Sequence, residues 1–252
     1  MAAAFSDMER REPSMLQRRE TWLRDQSRRR VTRTIGSAAA HASRIRSDGT
    51  TTAPLSRYQE LEKRALDVLV ASVTLTVFAP LLLLIAAVIR LTTGGPALFL
   101  QRRSGHHGEV FRIWKFRTMH VAEDGDVVTQ ARQADPRLTH VGAFLRKYNL
   151  DELPQLINVL AGDMSLVGPR PHALTHDLMF ERDLNSYARR RRVKPGITGW
   201  AQINGHRGRI SSPADLRKRV ACDLYYIRNY SILFDLHILL RTLSPSAFRN
   251  AV

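Results

Sequence analysis

The sequence has one cysteine, Cys222, in 252 residues. An internal disulfide therefore cannot form, and neither a paired-cysteine zinc site nor an extracellular disulfide framework is available. Residues 1–30 also lack the apolar segment that a cleavable secretory signal requires. These absences favour a protein that works on the reducing, cytoplasmic side.

Acidic side chains are scarce: 23 Asp and Glu stand against 39 Lys and Arg, which gives a formal net charge of +16. Acidic lipid headgroups, nucleotide phosphates and nucleic acids would all be attracted to this charge. A nucleic-acid-binding protein is therefore a rival class. No recognisable nucleic-acid-binding motif accompanies the charge, so we expect no nucleic-acid partner.

Large apolar residues are few in residues 1–57, where Arg, Ser, Thr and Ala dominate. No helical or strand period persists there, so we predict a basic, disordered N-terminal tail. A solvated extension without a specific role is one interpretation. The other is that arginines such as Arg28, Arg29 and Arg30 bind anionic lipid.

One long run, Val68 to Ile89, carries no charge at all. As a straight helix it would extend about 33 Å, enough to cross a hydrocarbon core of about 30 Å. Pro80 lies near its middle and predicts a kink, and basic residues flank both ends, unlike a simple spanning helix. We predict a re-entrant membrane helix over residues 58–92, broken at Pro80. A spanning helix and a buried helix are the alternatives.

The pattern from residue 93 to 252 predicts a small β-hairpin followed by helices. Ala97–Gln101 and Val110–Phe116 are apolar and β-prone, and the glycine-containing segment between them is typical of a turn. Leu153–Leu160 has an apolar helical stripe that Gly162 is placed to end. The fold class is therefore mainly α with a small β-hairpin (α+β). Further helices are predicted around residues 174–190, 213–229 and 234–243.

Two adjacent carboxylates, Asp151 and Glu152, precede Pro154. Proline is tolerated in the first turn of a helix, so the pair lies at the N-terminal end of the predicted helix, where negative charge is favoured. Such residues are common caps. The alternative is chemistry, because an ionised Asp such as Asp151 can act as a nucleophile or hold a divalent metal.

A single arginine, Arg170, stands between Pro169 and Pro171. Two fixed φ angles stiffen this loop, and the planar guanidinium can bind a phosphate through two parallel hydrogen bonds. A rigid turn with a solvated arginine is the alternative. The other basic residues that are candidate phosphate ligands are Arg146, Lys115 and Arg117.

A glycine-rich segment, residues 194–205, also contains a tryptophan. Such a loop lets the backbone approach a ligand while an aromatic or amide side chain contacts a base or a sugar. A tight turn that Trp200 stabilises by packing is the competing interpretation. The candidate substrate-loop residues are Pro169, Pro171, Gly196, Thr198, Gly199, Trp200 and Gln202.

These motifs resemble those of the bacterial sugar transferases, the monotopic polyprenyl-phosphate phosphoglycosyl transferases. The resemblance covers about residues 62–243. Larger members of that family carry several N-terminal membrane helices, so this chain resembles the compact form. The matching residues are Lys63-Arg64 with Asp67, Gln101-Arg102-Arg103, Lys115 to Met119, Leu150 to Pro171, Pro195 to Gly205, Asp223, Tyr226, Tyr230-Ser231 and Asp235.

The resemblance implies an Mg²⁺-dependent enzyme that transfers a sugar 1-phosphate from a UDP-sugar to polyprenyl (undecaprenyl) phosphate and releases UMP. It implies that Asp151 attacks the sugar-bearing β-phosphate and forms a phospho-sugar intermediate. Glu152 would position or deprotonate the acceptor, or help to hold the metal. The reaction would initiate assembly of a surface polysaccharide or glycoconjugate.

The same resemblance implies a location at the bacterial inner membrane. Residues 93–252 would form a catalytic domain on the cytoplasmic face, with interfacial amphipathic helices in contact with membrane lipids. A membrane-anchored scaffold without catalysis is the remaining rival. The sugar, the polyprenyl length and the oligomeric state stay open, and a homo-oligomer is allowed.

Overall fold

The computed structural model describes residues 55–120, 130 and 135–244. This part of the chain is mainly helical, as the sequence predicted, and has two small sheets. Residues 1–54 of the predicted N-terminal tail lie outside the described residues. The helices are α1 Arg57–Thr93, α2 His140–Lys147, α3 Gln155–Ala161, α4 Leu174–Asp183, α5 Trp200–Ile203, α6 Pro213–Arg228 and α7 Ile232–Thr242. The strands are β1 Leu98–Ser104, β2 Val110–Phe116, β3 Ser165–Val167 and β4 Gly196–Thr198.

Helix α1 begins and ends with clear capping signals. The Ser56 hydroxyl accepts from the Gln59 backbone N–H, the Gln59 side chain accepts from the Ser56 N–H, and Gly94 ends the helix in the left-handed conformation. The backbone stays helical through Pro80. The expected break is therefore not a gap in the helix, and a bend at Pro80 with a re-entrant path stays a prediction.

Most of the apolar surface of α1 is exposed. Within the described residues it is the one helix long and apolar enough to cross a membrane, by length and composition, and only 11% of its most apolar stretch is buried. Leu69, Val73, Val77, Leu83 and Leu84 all lie on the surface. An apolar surface of this extent is typical of a helix in contact with lipid.

Polar side chains near the start of α1 bind the rest of the fold. The Lys63 ammonium lies 2.5 Å from the Asp235 carboxylate of α7 and donates to the Tyr226 hydroxyl at 3.1 Å. The Asp67 carboxylate accepts from the Ser165 hydroxyl at 3.0 Å and from the Leu166 N–H at 2.9 Å. These buried contacts fix α1 to α7 and β3.

Arg64 binds the end of α3. Its guanidinium donates to the carbonyls of Val159 and Leu160 at 2.5 and 2.8 Å. These carbonyls belong to the last turn of α3, where carbonyls lack the donors of a further helical turn and carry partial negative charge. Helix α1 therefore caps α3, the helix that follows the acidic pair.

The predicted hairpin is confirmed. Strands β1 and β2 pair antiparallel, from Leu98 opposite Phe116 to Ser104 opposite Val110. Strand β1 runs past the predicted end at Gln101, because its pairing continues to the tight turn after Ser104.

The second sheet was not predicted. Strands β3 and β4 pair parallel and have three residues each, too few to show a period in the sequence. Their backbones approach closely beyond β3: a Cβ on Gly196 would lie 2.0 Å from the Gly168 nitrogen. Glycine is therefore required where β4 meets the Pro169–Pro171 loop.

The helix predicted around residues 174–190 is shorter than expected. Helix α4 ends at Asp183 because Leu184 is extended, and residues 187–192 form a separate 3₁₀ turn. Helices α6 and α7 lie close to the predicted ranges, and α3 ends at Gly162 in the left-handed conformation, as predicted.

Two apolar clusters contact α1 at different points. Ala71 packs in the main core with residues such as Val159 and Ile238, whereas Ile85 and Ile89 pack with Phe116 and Leu145 in a second cluster. Both halves of α1 therefore pack on the body that carries the hairpin and α2.

Replacing Lys63 by Met tests the contact between α1 and α7. The Asp235 carboxylate would be left buried without its cation, so we expect the unfolding free energy to fall by about 3–5 kcal/mol. Thermal unfolding of the detergent-purified protein measures this. Arg57→Met removes an exposed cation from the same helix and should change little. Equal melting temperatures for Lys63→Met and the wild type would contradict the assigned contact.

Candidate active site

The acidic pair lies in a 3₁₀ turn, Leu150–Glu152, between α2 and α3. Asn149 precedes it at φ 57°, a left-handed conformation that Asn adopts more readily than most residues. This residue ends α2 and turns the chain inward. Both carboxylates are consequently buried, ahead of α3 rather than in its first turn.

Asn158 of α3 bonds to β2 as a further strand would. Its side-chain oxygen accepts from the Trp114 N–H at 2.9 Å, and its side-chain nitrogen donates to the Arg112 carbonyl at 2.7 Å. These two bonds fix the register between α3 and β2. Lys115, the next residue of β2, is thereby placed beside the acidic turn.

Three cations surround the Glu152 carboxylate. Arg170 donates to both of its oxygens, at 3.0 and 2.5 Å. Lys115 lies 3.0 Å from Oε1, and Arg207 lies 3.3 Å from Oε2. Burial alone would raise the pKa of Glu152, but the charges of Arg170, Lys115 and Arg207 outweigh it and hold this pKa well below its usual range. Glu152 is therefore a permanent buried anion.

Asp151 is buried like Glu152 but differs from it in hydrogen bonding and in pKa. Within the described part of the chain, its carboxylate has no hydrogen-bond partner. Burial, and next the charge of Glu152, raise the pKa of Asp151, against the opposing charges of Lys115, Arg146 and Arg170. This carboxylate is unengaged and more basic than an ordinary aspartate.

Arg146 reaches the site from α2. Its Nε donates to the Thr118 hydroxyl at 2.9 Å. Helix α2 lies so close to this segment that a Cβ on Gly142 would be 2.1 Å from the Thr118 carbonyl oxygen. Burial lowers the pKa of Arg146, while the charge of Asp151 acts in the opposite direction. The structure therefore places Arg146 within the field of Asp151.

Arg117 lies apart from this cluster. Its guanidinium donates to the carbonyls of Met119 at 3.1 Å and of His120 at 2.8 Å. It thus folds the chain that leaves β2. Of the predicted phosphate ligands, the structure gathers Lys115, Arg146 and Arg170 near the acidic pair, and it gives Arg117 backbone partners instead.

Two arginines donate hydrogen bonds to backbone carbonyls of the Pro169–Pro171 loop. Arg103 of β1 donates to the Pro171 carbonyl at 3.1 Å, and Arg190 donates to the Arg170 carbonyl at 2.7 Å. The loop is therefore fixed while its central side chain reaches Glu152.

In the glycine-rich segment, residues 194–205, Trp200 and Gln202 contact neighbouring residues of the fold. Trp200 lies 4.9 Å from Phe234 and 5.9 Å from Tyr225, ring centre to ring centre, in an aromatic cluster. Gln202 donates to the Ile197 carbonyl at 2.9 Å, although its buried Oε1 has no partner among the described residues. These contacts support the interpretation of a packed turn.

The other members of that segment lie along β4. The Thr198 and Thr242 hydroxyls are 2.7 Å apart. Gly196 and Gly199 allow the backbone of Gly168 to approach closely. Contact between this segment and a substrate stays a prediction.

Arg207 is a site residue that the sequence did not indicate. It comes from the loop after α5, and its only signal is one arginine between glycines, Gly205 and Gly208. A surface loop offers many such arginines, so its approach to Glu152 depends on the tertiary fold.

The acidic pair supplies only two carboxylates as ligands for a metal ion. The described residues contain no group of three or more His, Cys, Asp and Glu side chains placed to hold one. Mg²⁺ is usually held by one or two carboxylates together with substrate phosphates. The unengaged carboxylate of Asp151, with Glu152 beside it, fits that kind of site.

Comparison with known proteins identifies the family. The family model described as bacterial sugar transferase matches residues 58–249. The chain therefore belongs to the bacterial sugar transferase family.

Individual relatives carry specific names. UDP-glucose:undecaprenyl-phosphate glucose-1-phosphate transferase of Escherichia coli is 50% identical over 189 residues, which are 75% of this chain and 41% of the relative. The relative of the same name from Caulobacter vibrioides is 51% identical over 190 residues, 75% of this chain and 71% of that protein.

A third relative names a different sugar. UDP-N-acetylgalactosamine-undecaprenyl-phosphate N-acetylgalactosaminephosphotransferase of Aeromonas hydrophila is 42% identical over 181 residues, 72% of this chain and 42% of the relative. This chain thus spans less than half the length of two of these three proteins.

Proposed function

We propose that this protein transfers a sugar 1-phosphate from a UDP-sugar to undecaprenyl phosphate and releases UMP, at the first step of surface polysaccharide or glycoconjugate assembly. The observation that carries the proposal is the contrast within the acidic pair. Glu152 binds three cations, whereas Asp151, its neighbour, keeps an unengaged carboxylate. A buried carboxylate beside a cluster of cations can attack a phosphate whose charge those cations neutralise.

In the first step, an oxygen of the Asp151 carboxylate attacks the β-phosphorus of the UDP-sugar. The bond from that phosphorus to the oxygen that bridges the α-phosphate breaks, and UMP leaves with this oxygen. The sugar 1-phosphate is then joined to Asp151 as an acyl phosphate. Arg146, Arg170 and Lys115 are the residues placed to stabilise the charge on the diphosphate.

In the second step, an oxygen of undecaprenyl phosphate attacks the same phosphorus. The bond between that phosphorus and the Asp151 oxygen breaks, which restores the carboxylate and yields the undecaprenyl diphosphate sugar. A phosphate monoester is largely a dianion near neutral pH, since its second pKa is about 6. The acceptor therefore needs little help in losing a proton.

Glu152 is better suited to positioning than to proton transfer. A carboxylate whose pKa lies well below its usual range is a weak base. Its three contacts instead orient Lys115, Arg170 and Arg207 toward one point. We assign Glu152 the role of organising these cations beside Asp151.

Mg²⁺ is the cofactor that we propose, and Asp151 and Glu152 are the carboxylates that would hold it, Glu152 in exchange for one of its contacts with basic side chains. When bound, it supplies positive charge to the diphosphate oxygens. The residues named above bind and orient the substrates in either step.

The location that we propose is the inner membrane, with the site on the cytoplasmic face, and exposed apolar residues of α7 support contact with a membrane. Leu233, Leu236, Leu240 and Leu243 lie exposed along one side of α7 and its end, spaced as an apolar helical stripe. The opposite side of α7 is buried in the core. Such a helix can lie in the interface, where a soluble nucleotide sugar and a lipid phosphate both reach Asp151.

The sugar is best tested with UDP-glucose first. The relatives from Escherichia coli and Caulobacter vibrioides carry glucose in their names, and the one from Aeromonas hydrophila carries N-acetylgalactosamine. Membrane fractions should release UMP from one of these two UDP-sugars when undecaprenyl phosphate is present.

Asp151→Asn tests the nucleophile. An amide of the same shape cannot form the acyl phosphate, so UMP release should fall by at least about 1000-fold. The variant should sediment with membranes as the wild type does, and Asp183→Asn, at an exposed position, should keep full activity. Undiminished turnover by Asp151→Asn would refute the two-step route.

The pH dependence of UMP release tests the electrostatics of the pair. Asp151 attacks only when ionised, so the rate should fall as the pH drops through its raised pKa. Glu152→Gln removes a charge that raises this pKa, so the acidic limb should move to lower pH. Lys115→Gln removes a charge that lowers it, so the limb should move to higher pH. Lys147→Gln, at an exposed position, should leave the limb in place.

The variants Glu152→Gln and Lys115→Gln are compared by the midpoint of the acidic limb rather than by the maximal rate. Movement of both limbs in the same direction would contradict the assigned electrostatics.

Thiol labelling tests the re-entrant path of α1. Cysteines placed at Arg57 and Thr93, in a Cys222→Ser background, should both react with a membrane-impermeant reagent from the cytoplasmic side. Both halves of α1 pack on the same body, which predicts this result. Labelling of the two positions from opposite sides would establish a spanning helix instead.

A further inference from the structure

A buried polar network lies behind the Pro169–Pro171 loop, and the reaction described above does not use it. Its members come from the loop after β3, from α4, from the 3₁₀ turn 187–192 and from α6. All of these side chains are almost completely buried. They are His172, Asp177, Tyr187, Arg190, Arg219 and Asp223.

Arg190 is the centre of this network. Its Nε donates to the Asp223 carboxylate at 2.9 Å, and one terminal nitrogen donates to the Tyr187 hydroxyl at 3.0 Å. The other terminal nitrogen lies 2.9 Å from the same carboxylate and donates to the Arg170 carbonyl at 2.7 Å. One edge of the guanidinium is thus fixed by a buried anion, and the remaining donor reaches the active-site loop.

The surrounding groups leave Arg190 little freedom. His172 lies between two arginines: its Nδ1 is 2.8 Å from a terminal nitrogen of Arg190 and 2.6 Å from the Tyr187 hydroxyl, and its Nε2 is 3.1 Å from Arg219. The Tyr187 hydroxyl in turn donates to Asp177. Burial, together with the charges of Arg190 and Arg219, holds the pKa of His172 well below its usual range. The imidazole is therefore neutral, and it is packed between the guanidinium groups of Arg190 and Arg219.

The contacts form a continuous series from α6 to the acidic pair. Asp223 binds Arg190, Arg190 binds the Arg170 carbonyl, and the Arg170 guanidinium binds both oxygens of Glu152. Pro169 and Pro171 restrict the backbone on either side of Arg170. A displaced carbonyl would therefore move the whole residue rather than rotate locally.

We propose that Arg190, held by Asp223, is a positioning residue for Arg170. It fixes the backbone from which Arg170 reaches Glu152 and, in the proposed reaction, the diphosphate. This inference rests on the proposed function. The competing interpretation is that the Arg190–Asp223 pair only joins α6 to the 3₁₀ turn.

Arg190→Lys separates these interpretations. Lysine keeps the charge opposite Asp223 but has no fork that also reaches the Arg170 carbonyl. We expect kcat for UMP release to fall about 10- to 100-fold, with KM for the UDP-sugar changed less than about twofold. If Arg190 acts through Arg170, the double variant Arg190→Lys, Arg170→Lys should be no slower than Arg170→Lys alone.

A stability control identifies losses that come from weakened packing. Val220→Ala removes apolar volume from α6, in the cluster with Phe180 and Leu216, and none of the polar contacts. It should lower the melting temperature and keep kcat within about twofold. Asp223→Asn retains the shape of the carboxylate, and its effect on kcat should likewise not add to that of Arg170→Lys. This variant replaces Arg190→Lys if the latter does not accumulate.

Two failures are distinguishable. No UMP release by the wild type from any UDP-sugar tested would refute the proposed function. An active wild type in which the Arg190 and Arg170 effects multiply, or in which Arg190→Lys is fully active, would refute the positioning role alone.

Discussion

The buried negative charge of Glu152 is the constraint on which the site depends. A carboxylate taken out of water is strongly disfavoured as an anion unless cations and hydrogen bonds replace the solvent. Here the replacement comes from three separate segments: Lys115 from β2, Arg170 from the loop after β3 and Arg207 from the loop after α5. The charge of Glu152 thus brings three segments of the chain into contact, and these contacts define the site.

The chemistry proposed for Asp151 follows from how those cations are used. They bind Glu152, so they reach Asp151 only as a more distant field, and burial then raises the pKa of Asp151 while that of Glu152 is lowered. Adjacent carboxylates whose environments separate their pKa values commonly divide two roles between them. The unengaged, more basic member is suited to attack phosphorus, and the engaged member is suited to organise charge.

The sequence predicted those features that have local signals. Pro154 and Gly162 bounded α3, two β-prone segments around a glycine-containing turn indicated the hairpin, and the prolines around Arg170 indicated a stiff loop. The partners of these elements could not be predicted, because they depend on long-range contacts. Arg207 reaches Glu152 across 55 positions of sequence, and Arg190 reaches Asp223 across 33. Composition likewise did not show that Trp200 packs against other rings.

The positions of charged residues also bear on the predicted re-entrant path of α1. Lys63 and Ile89, both buried in the domain, would lie roughly 39 Å apart along a straight helix, more than the thickness of a hydrocarbon core. Ile89 packs with Phe116 and Leu145, whose sequence neighbours Lys115 and Arg146 belong to the charged site. A spanning helix would draw these cations toward the hydrocarbon, at a cost of several kcal/mol each. The predicted bend at Pro80 would instead let both ends of α1 reach the domain while the charged cluster stayed in the interface.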